Sequence, residues 1–231
     1  MEEQLINKTG VVTFLDVLGW KGIWQRKDNP IKALKDLREK LKSNAQKYSK
    51  GRDNVGDTSV LSISDTIVLL TDVLNNQPTN ALDLHGQLCS EILLFSLELG
   101  IPIRGATGYG EFSANETDSV FVGKAIDETA SWHEQADWIG VFMTPSAFYL
   151  YENENSKWWL KYNPPIKNNL DFETFVAIWN DLLTKEKTAN EIAKNFSVLS
   201  PIIPEIINKF SNTHKFLQFL ESSEKVKNNF G

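Results

Sequence analysis

The sequence predicts an α+β protein: a mostly antiparallel sheet covered by helices, followed by a helical C-terminal extension. Two observations carry that prediction. Through the first two thirds of the chain, short apolar runs alternate with longer segments whose apolar residues recur every three or four positions. The run Val60 to Leu70 is too long and too β-branched for one simple strand, and reads as a hairpin closed at Ser64-Asp65. The element order is then β-α-β-β-α-β-β-α-β.

Val11 to Leu18 is apolar except for Thr13 and Asp16, the pattern of a strand buried on both faces. Gly19 and Gly22 bracket the turn after it. Ile31, Leu34, Leu37, Leu41, Ala45 and Tyr48 mark one face of a helix, which the loop Ser49 to Asp57 ends. Leu82 to Leu99 is a long helix, apolar nearly all round, stopped by Gly100 with Pro102 just beyond. Ile103 to Phe112 is a strand carrying Gly105, Gly108 and Gly110, a density that points to close backbone approach or bulges. Val120 to Val122 reads as a short strand, Lys124 to about Gln135 as a helix and Trp138 to Met143 as a buried strand. Thr144-Pro145 is the N-cap and first position of a short helix.

Composition changes after about residue 153, and Asn163-Pro164-Pro165 punctuates the chain. Three helices are expected beyond: Leu170 to Leu183, striped by Phe172, Phe175, Val176, Trp179, Leu182 and Leu183; Ala189 to Phe196; and Pro201 to Leu220, capped at Ser200-Pro201. Glu221 to Gly231 is polar enough to fray. The expected organisation is one domain over residues 8–152, with an extension over 153–231 packed on it.

The 231 residues are 41% hydrophobic and 23% charged, enough apolar material for a sizeable core, which excludes global disorder. With 24 basic against 30 acidic side chains the net charge is −6, which argues against a broad nucleic-acid-binding face. One cysteine, Cys89, cannot make an internal disulfide, and its apolar helix makes it a small core residue. There is no run of 18 apolar residues, and the start Met1-Glu2-Glu3-Gln4 is acidic rather than signal-like, so a cytoplasmic protein without membrane contact is expected. His85, His133 and His214 show no ligand spacing, and a surface or capping role is expected of each. The tryptophans are core candidates, with Trp158-Trp159 an exposed or interface pair.

Two carboxylates stand out. Asp16 interrupts Val11 to Leu18, and Asp65 falls between two apolar strands. Buried without a partner, each would neutralise or cost several kcal/mol, and brought together each would worsen the other's position. A divalent cation turns both penalties into a binding site. The competing reading is a strand-end Asp that accepts backbone N–H bonds or pairs with an Arg. A lone Asp favours that alternative, whereas two, one of them followed by a glycine-bearing turn, shift the balance toward metal. In Leu18-Gly19-Trp20-Lys21-Gly22-Ile23, glycines between a strand and a helix let main-chain N–H groups face an anion, with the helix start adding its dipole. This is not a Walker loop, since the glycine-lysine-hydroxyl ending is absent. Beside a metal-binding Asp it makes a triphosphate site.

In order, these residues resemble the class III nucleotidyl cyclase catalytic domain. Phe14-Leu15-Asp16-Val17-Leu18-Gly19-Trp20 is similar to the family's first metal-binding strand, and Ile63-Ser64-Asp65-Thr66 to its hairpin, with Ser64 where a Gly is usual. Ile103-Arg104-Gly105-Ala106-Thr107-Gly108-Tyr109-Gly110 resembles its fourth strand. Gly123-Lys124-Ala125-Ile126-Asp127 through Thr144-Pro145 resembles its helix, strand and Ser-Pro segment. The match spans roughly residues 8 to 150. The family's transition-state Asn and Arg fall on Asp127 and Ser131, and its purine-reading positions on Leu61 and Val120, so none is retained. Both metal carboxylates without a purine reader resemble the compact pyrimidine cyclases of the bacterial Pycsar anti-phage system.

The resemblance implies a class III cyclase-like sandwich forming a homodimer with sites at its interface. Such a protein converts a nucleoside triphosphate, UTP before CTP, into a cyclic nucleotide that activates a separate effector. Two Mn²⁺ or Mg²⁺ ions per site would be held by Asp16, Asp65 and the carbonyl of Val17, with Asp16 and Asp65 catalytic. Phe14, Leu18, Gly19, Trp20, Lys21, Gly22, Arg104 and Lys124 are the expected nucleotide-binding residues. Arg104 and Lys124 are the cations available for the role Ser131 cannot fill, with a salt bridge as the alternative for each. The rival readings are an adenylate or guanylate cyclase, and a degenerate cyclase domain that binds a nucleotide or protein without turnover.

Overall fold

The computed structural model describes residues 6–25, 27–115, 120–199, 202 and 204–223. Strand β1 (Ile6–Val17) runs into a short turn, and helix α1 (Pro30–Tyr48) starts where Asn29 accepts from the Lys32 amide at 3.0 Å with Pro30 behind it. Its buried face is Ala33, Leu37, Leu41 and Ala45, while Ile31, expected on that face, is exposed. β2 (Val55–Ile63) and β3 (Thr66–Val73) form the expected hairpin, with Ser64 at φ 55° in its turn. α2 (Thr79–Glu98) ends in a Schellman motif at Gly100, φ 68°, where the Ile101 amide reaches Ser96 O and the Gly100 amide Leu97 O.

β4 (Ile103–Asn115) pairs with β5 (Val120–Val122), and α3 (Lys124–His133) follows. β6 is shorter than expected, Val141–Met143, with Trp138 and Ile139 buried just before it, and α4 (Pro145–Phe148) follows. Beyond residue 153 come β7 (Trp159–Tyr162), β8 (Thr174–Ala177), α5 (Asn180–Leu183), α6 (Ala189–Lys194) and α7 (Ile207–Ser222).

Among the described residues one sheet runs β2–β3–β1–β4–β6–β8–β7, with β5 on β4. Only the β4–β6 pairing is parallel. β1 is buried on both faces because helices cover both. The Thr13 hydroxyl meets His85 of α2 on one side, and Phe14 packs with Ala125 and Ile126 of α3 on the other. α3 can lie close to β4 because a Cβ on Gly108 would overlap the Thr129 hydroxyl.

The largest correction concerns Leu170 to Leu183, which is not a helix. Thr174–Ala177 is a strand paired to β6 and β7, and only Asn180–Leu183 is helical. The physical reason is that all four residues of β8 are buried, so the strand shows no alternation and its apolar spacing also fits a helix. Trp159 is not exposed: it is fully buried and donates its Nε1–H to Leu82 O at 2.8 Å. His85 is buried rather than at the surface; His133 is also buried but bonds the Ala130 carbonyl in the last turn of α3, the capping alternative, and His214 is half-buried, 3.1 Å from the Asn190 side-chain oxygen. Of the cap expected at Ser200-Pro201 and the tail Glu221 to Gly231, residues 200, 201 and 224–231 lie outside the described residues. One core holds both parts of the chain together, with Trp138 edge-on to Phe216 of α7 at 4.7 Å between ring centroids.

Candidate active site

Asp16 is the penultimate residue of β1, directly opposite Thr66 on β3 and Arg104 on β4. The hairpin turn that closes β2 and β3 delivers Asp65 beside it, since the Val17 amide donates to Asp65 O at 3.3 Å. The Ser64 hydroxyl steadies the Asp65 carboxylate with a 3.0 Å bond. Two carboxylates and the intervening Val17 backbone therefore meet at one end of adjacent strands.

Electrostatics agree with that placement. The Asp16 carboxyl is raised above the ordinary carboxylate range by burial, partly offset by the Arg104 guanidinium, and the Asp65 charge raises it further. Arg104 forms an ion pair with Asp16: its Nε–H donates to Oδ2 at 3.1 Å, and a terminal nitrogen lies 3.0 Å from the same oxygen. Its other terminal nitrogen donates to the carbonyls of Glu134 at 2.8 Å and Ala136 at 3.3 Å, just past α3. His133 lies near as well, its ring 5.4 Å from that of Phe14.

The glycine turn has the conformation that only its glycines adopt without strain, with φ 73° at Gly19 and 83° at Gly22. It leads into a single 3₁₀ turn, Ile23–Gln25, not directly into a helix. The expected helix dipole is therefore not aimed from α1, which starts at Pro30 behind its own Asn29 cap. The Leu18 amide is used by Pro102 O at 2.8 Å, and Trp20 packs on the core while Lys21 is exposed. Phe14 is buried under α3.

Lys124 is not brought to Asp16. It opens α3, whereas Arg104 holds the residues after its end, and ten helical residues separate them by roughly 13 Å along the axis. Its ammonium sits 3.3 Å from Glu111 in solvent. Asp127 and Ser131 lie on the exposed side of α3, joined by a 2.7 Å bond from the Ser131 hydroxyl to Asp127 O.

Among the described residues no three His, Cys, Asp or Glu side chains gather as a metal site. The oxygen-only set of Asp16, Asp65 and the Val17 carbonyl suits a hard cation such as Mg²⁺ or Mn²⁺. Such an ion keeps several waters and takes further oxygens from substrate phosphates, so two carboxylates suffice. Burial and the neighbouring Asp65 charge both disfavour an ionised Asp16, and in this structure the Arg104 guanidinium supplies the counter-charge.

Sequence reasoning missed how the loop after α3 holds Arg104. The Lys167 amide donates to Gln135 O and the Asp137 amide to Pro165 O, both at 2.9 Å, so the β7–β8 connection braces that loop. No spacing rule announces this, because the partners lie far apart in sequence.

No protein-family model and no curated protein sequence matches the chain. Solved structures do resemble it. The catalytic core of a rhodopsin-guanylyl cyclase with converted specificity, in complex with ATPαS, aligns at a TM-score of 0.54 and 14% identity over 76% of this chain and 98% of its own. An adenylate/guanylate cyclase/hydrolase from Silicibacter pomeroyi aligns at 0.50 and 10% identity over 76% and 99%. The fold is thus that of class III cyclase catalytic domains. The alignments take in more of this chain than the span 8–152. No helix among the described residues is long and apolar enough to cross a membrane.

Proposed function

We propose that this chain is a pyrimidine nucleotide cyclase that converts UTP, in preference to CTP, to the cyclic monophosphate and pyrophosphate. The observation that supports it most is the meeting of Asp16, Asp65 and the Val17 backbone at one end of the sheet, within a fold shared with nucleotide cyclases. Bound there, two Mg²⁺ or Mn²⁺ ions would lower the pKa of the ribose 3′-hydroxyl and neutralise the triphosphate. The chain's own part is positioning and charge stabilisation, so that the 3′-oxygen attacks the α-phosphorus in line and pyrophosphate leaves.

In this reading Asp16 and Asp65 supply the carboxylate oxygens, and main-chain N–H groups between Gly19 and Gly22 face the β- and γ-phosphates. Leu61 and Val120 present no hydrogen-bonding group at the positions where the resembled family reads purines, which favours a pyrimidine. Lys124, at the far end of α3, cannot complete the same chain's site, and neither Asp127 nor Ser131 supplies the missing cation, so the active form is a homodimer with each site shared. The product is a cytoplasmic second messenger in anti-phage defence, read by a separate effector.

The Arg104–Asp16 pair favours one rival, a domain that binds nucleotide without turnover. Incubation with each of the four triphosphates and Mn²⁺ separates the readings. Cyclic UMP exceeding cyclic CMP is expected. A purine product would overturn the specificity, and no cyclic product from any of the four would favour the binding domain.

A further inference from the structure

We infer that Arg104 and the divalent cation compete for Asp16, so that opening the Arg104–Asp16 ion pair is a condition of metal loading. This rests on the reading of Asp16 and Asp65 as metal carboxylates. The pair is no loose surface contact: the side chains are 13% and 17% exposed, the Arg104 Nε–H donates to Asp16 Oδ2 at 3.1 Å, and a terminal nitrogen stands 3.0 Å from that oxygen. A guanidinium in that position supplies the positive charge that a cation would otherwise bring to Asp16, and its own charge repels a second cation at the same carboxylate.

The grip on the guanidinium is built from elsewhere in the chain. Its remaining bonds go to the carbonyls of Glu134 and Ala136, and the loop that carries them is pinned by α7. Lys209 holds the Asp137 carboxylate at 2.8 Å, Asn212 donates to Asp137 O at 3.0 Å, and the Thr213 hydroxyl accepts from the Ile139 amide at 2.8 Å. A continuous set of contacts thus runs from the C-terminal helix to the metal carboxylate. Whatever loosens α7 would loosen Arg104 and favour metal, which makes the latch adjustable from the far side of the fold.

Mn²⁺ binding to the full chain, followed by the loss of the free-ion electron paramagnetic resonance signal without nucleotide, tests this without relying on activity. Arg104→Gln should bind Mn²⁺ about tenfold more tightly than the wild type, and adding Asp16→Asn should abolish the gain. Lys209→Met leaves the guanidinium in place but frees the loop, and should give a smaller gain, about threefold. It carries the test alone if circular dichroism shows that Arg104→Gln does not fold. Equal or weaker Mn²⁺ binding in the folded variants would overturn the competition while leaving the metal site standing. No Mn²⁺ binding by any variant at millimolar concentration would remove the metal site itself, and the inference with it.

Discussion

Asp16 tolerates its partly buried position because Arg104 neutralises it, so the choice of substitution decides what an experiment measures. Asp16→Ala would leave the Arg104 donors unpaired, at a cost of about 1–3 kcal/mol. Asp16→Asn keeps an acceptor for Arg104 and removes only the charge, as does Asp65→Asn. Each Asn variant should retain its thermal unfolding midpoint within a few degrees and lose cyclase activity by on the order of 100-fold or more. Near-wild-type turnover in either would sink the two-metal reading. His85 offers a second residue-scale test. It is fully buried, with one ring nitrogen 2.7 Å from the Thr13 hydroxyl and the other 2.8 Å from that of Thr71. A neutral imidazole satisfies both, since hydroxyls can donate or accept. Burial, with a smaller contribution from the Arg52 charge, pushes His85 down to about 3. An unfolded His titrates near about 6.5, so between these values the unfolded chain binds more protons. The contribution of His85 is therefore complete above about 6.5 and is lost as pH falls toward the folded value, by up to about 1.4 kcal/mol per pH unit. Urea unfolding between pH 5 and 7.5 should show a flatter pH dependence for His85→Gln than for the wild type. Equal slopes would contradict this.

At the scale of elements, the approach of α3 to β4 positions the loop that holds Arg104, and Gly108 permits that approach. Gly108→Val would press its side chain into Thr129 and Thr144 and force α3 outward. Overpacking of this kind costs about 1–3 kcal/mol, so the melting temperature should fall, and nucleotide turnover should fall more steeply than stability. A Gly108→Val protein with unchanged turnover would show that the seating of α3 does not matter to the site. The glycine density of Ile103 to Phe112 made this close contact readable in advance, as did the hairpin at Ser64-Asp65 and the Gly100 stop of α2. β8 was not readable, because Phe175, Val176 and Trp179 fall at a spacing that a helix also satisfies. An Arg partner for Asp16 is one of the two readings that the sequence leaves open, and the structure pairs it with Arg104. That a carboxylate in an apolar strand needs a counter-charge follows from Coulomb's law, but whether it comes from metal or Arg104 depends on register between β1 and β4. His85 misled for a related reason: the hydroxyls that satisfy it come from β1 and β3, many residues away.

For the whole molecule, the governing observation is that the chain brings carboxylates and a glycine turn together at one end of its sheet, while Lys124 sits at the far end of α3. A site assembled from two such surfaces needs a twofold axis, and each protomer then gives half of two equivalent sites. Concentration separates a shared site from a whole one. If sites are shared, activity per wild-type chain should fall when the protein is diluted below its dimer dissociation constant. Asp16→Asn protein, inactive alone, still offers an intact partner surface. Added in excess to dilute wild type, it should raise the activity per wild-type chain back toward the undiluted value, because each mixed dimer keeps one site with Asp16 from one chain and the opposing surface from the other. Heat-unfolded or Asp65→Asn protein serves to separate cases: the former should rescue nothing, the latter should rescue as well as Asp16→Asn, since Asp16 and Asp65 belong to the same half-site. Dilution-independent activity, or a mixture in which Asp16→Asn protein never raises the output of dilute wild type, would show that one chain carries a whole site. Lys124, at the far end of α3, would then have no part in the chemistry.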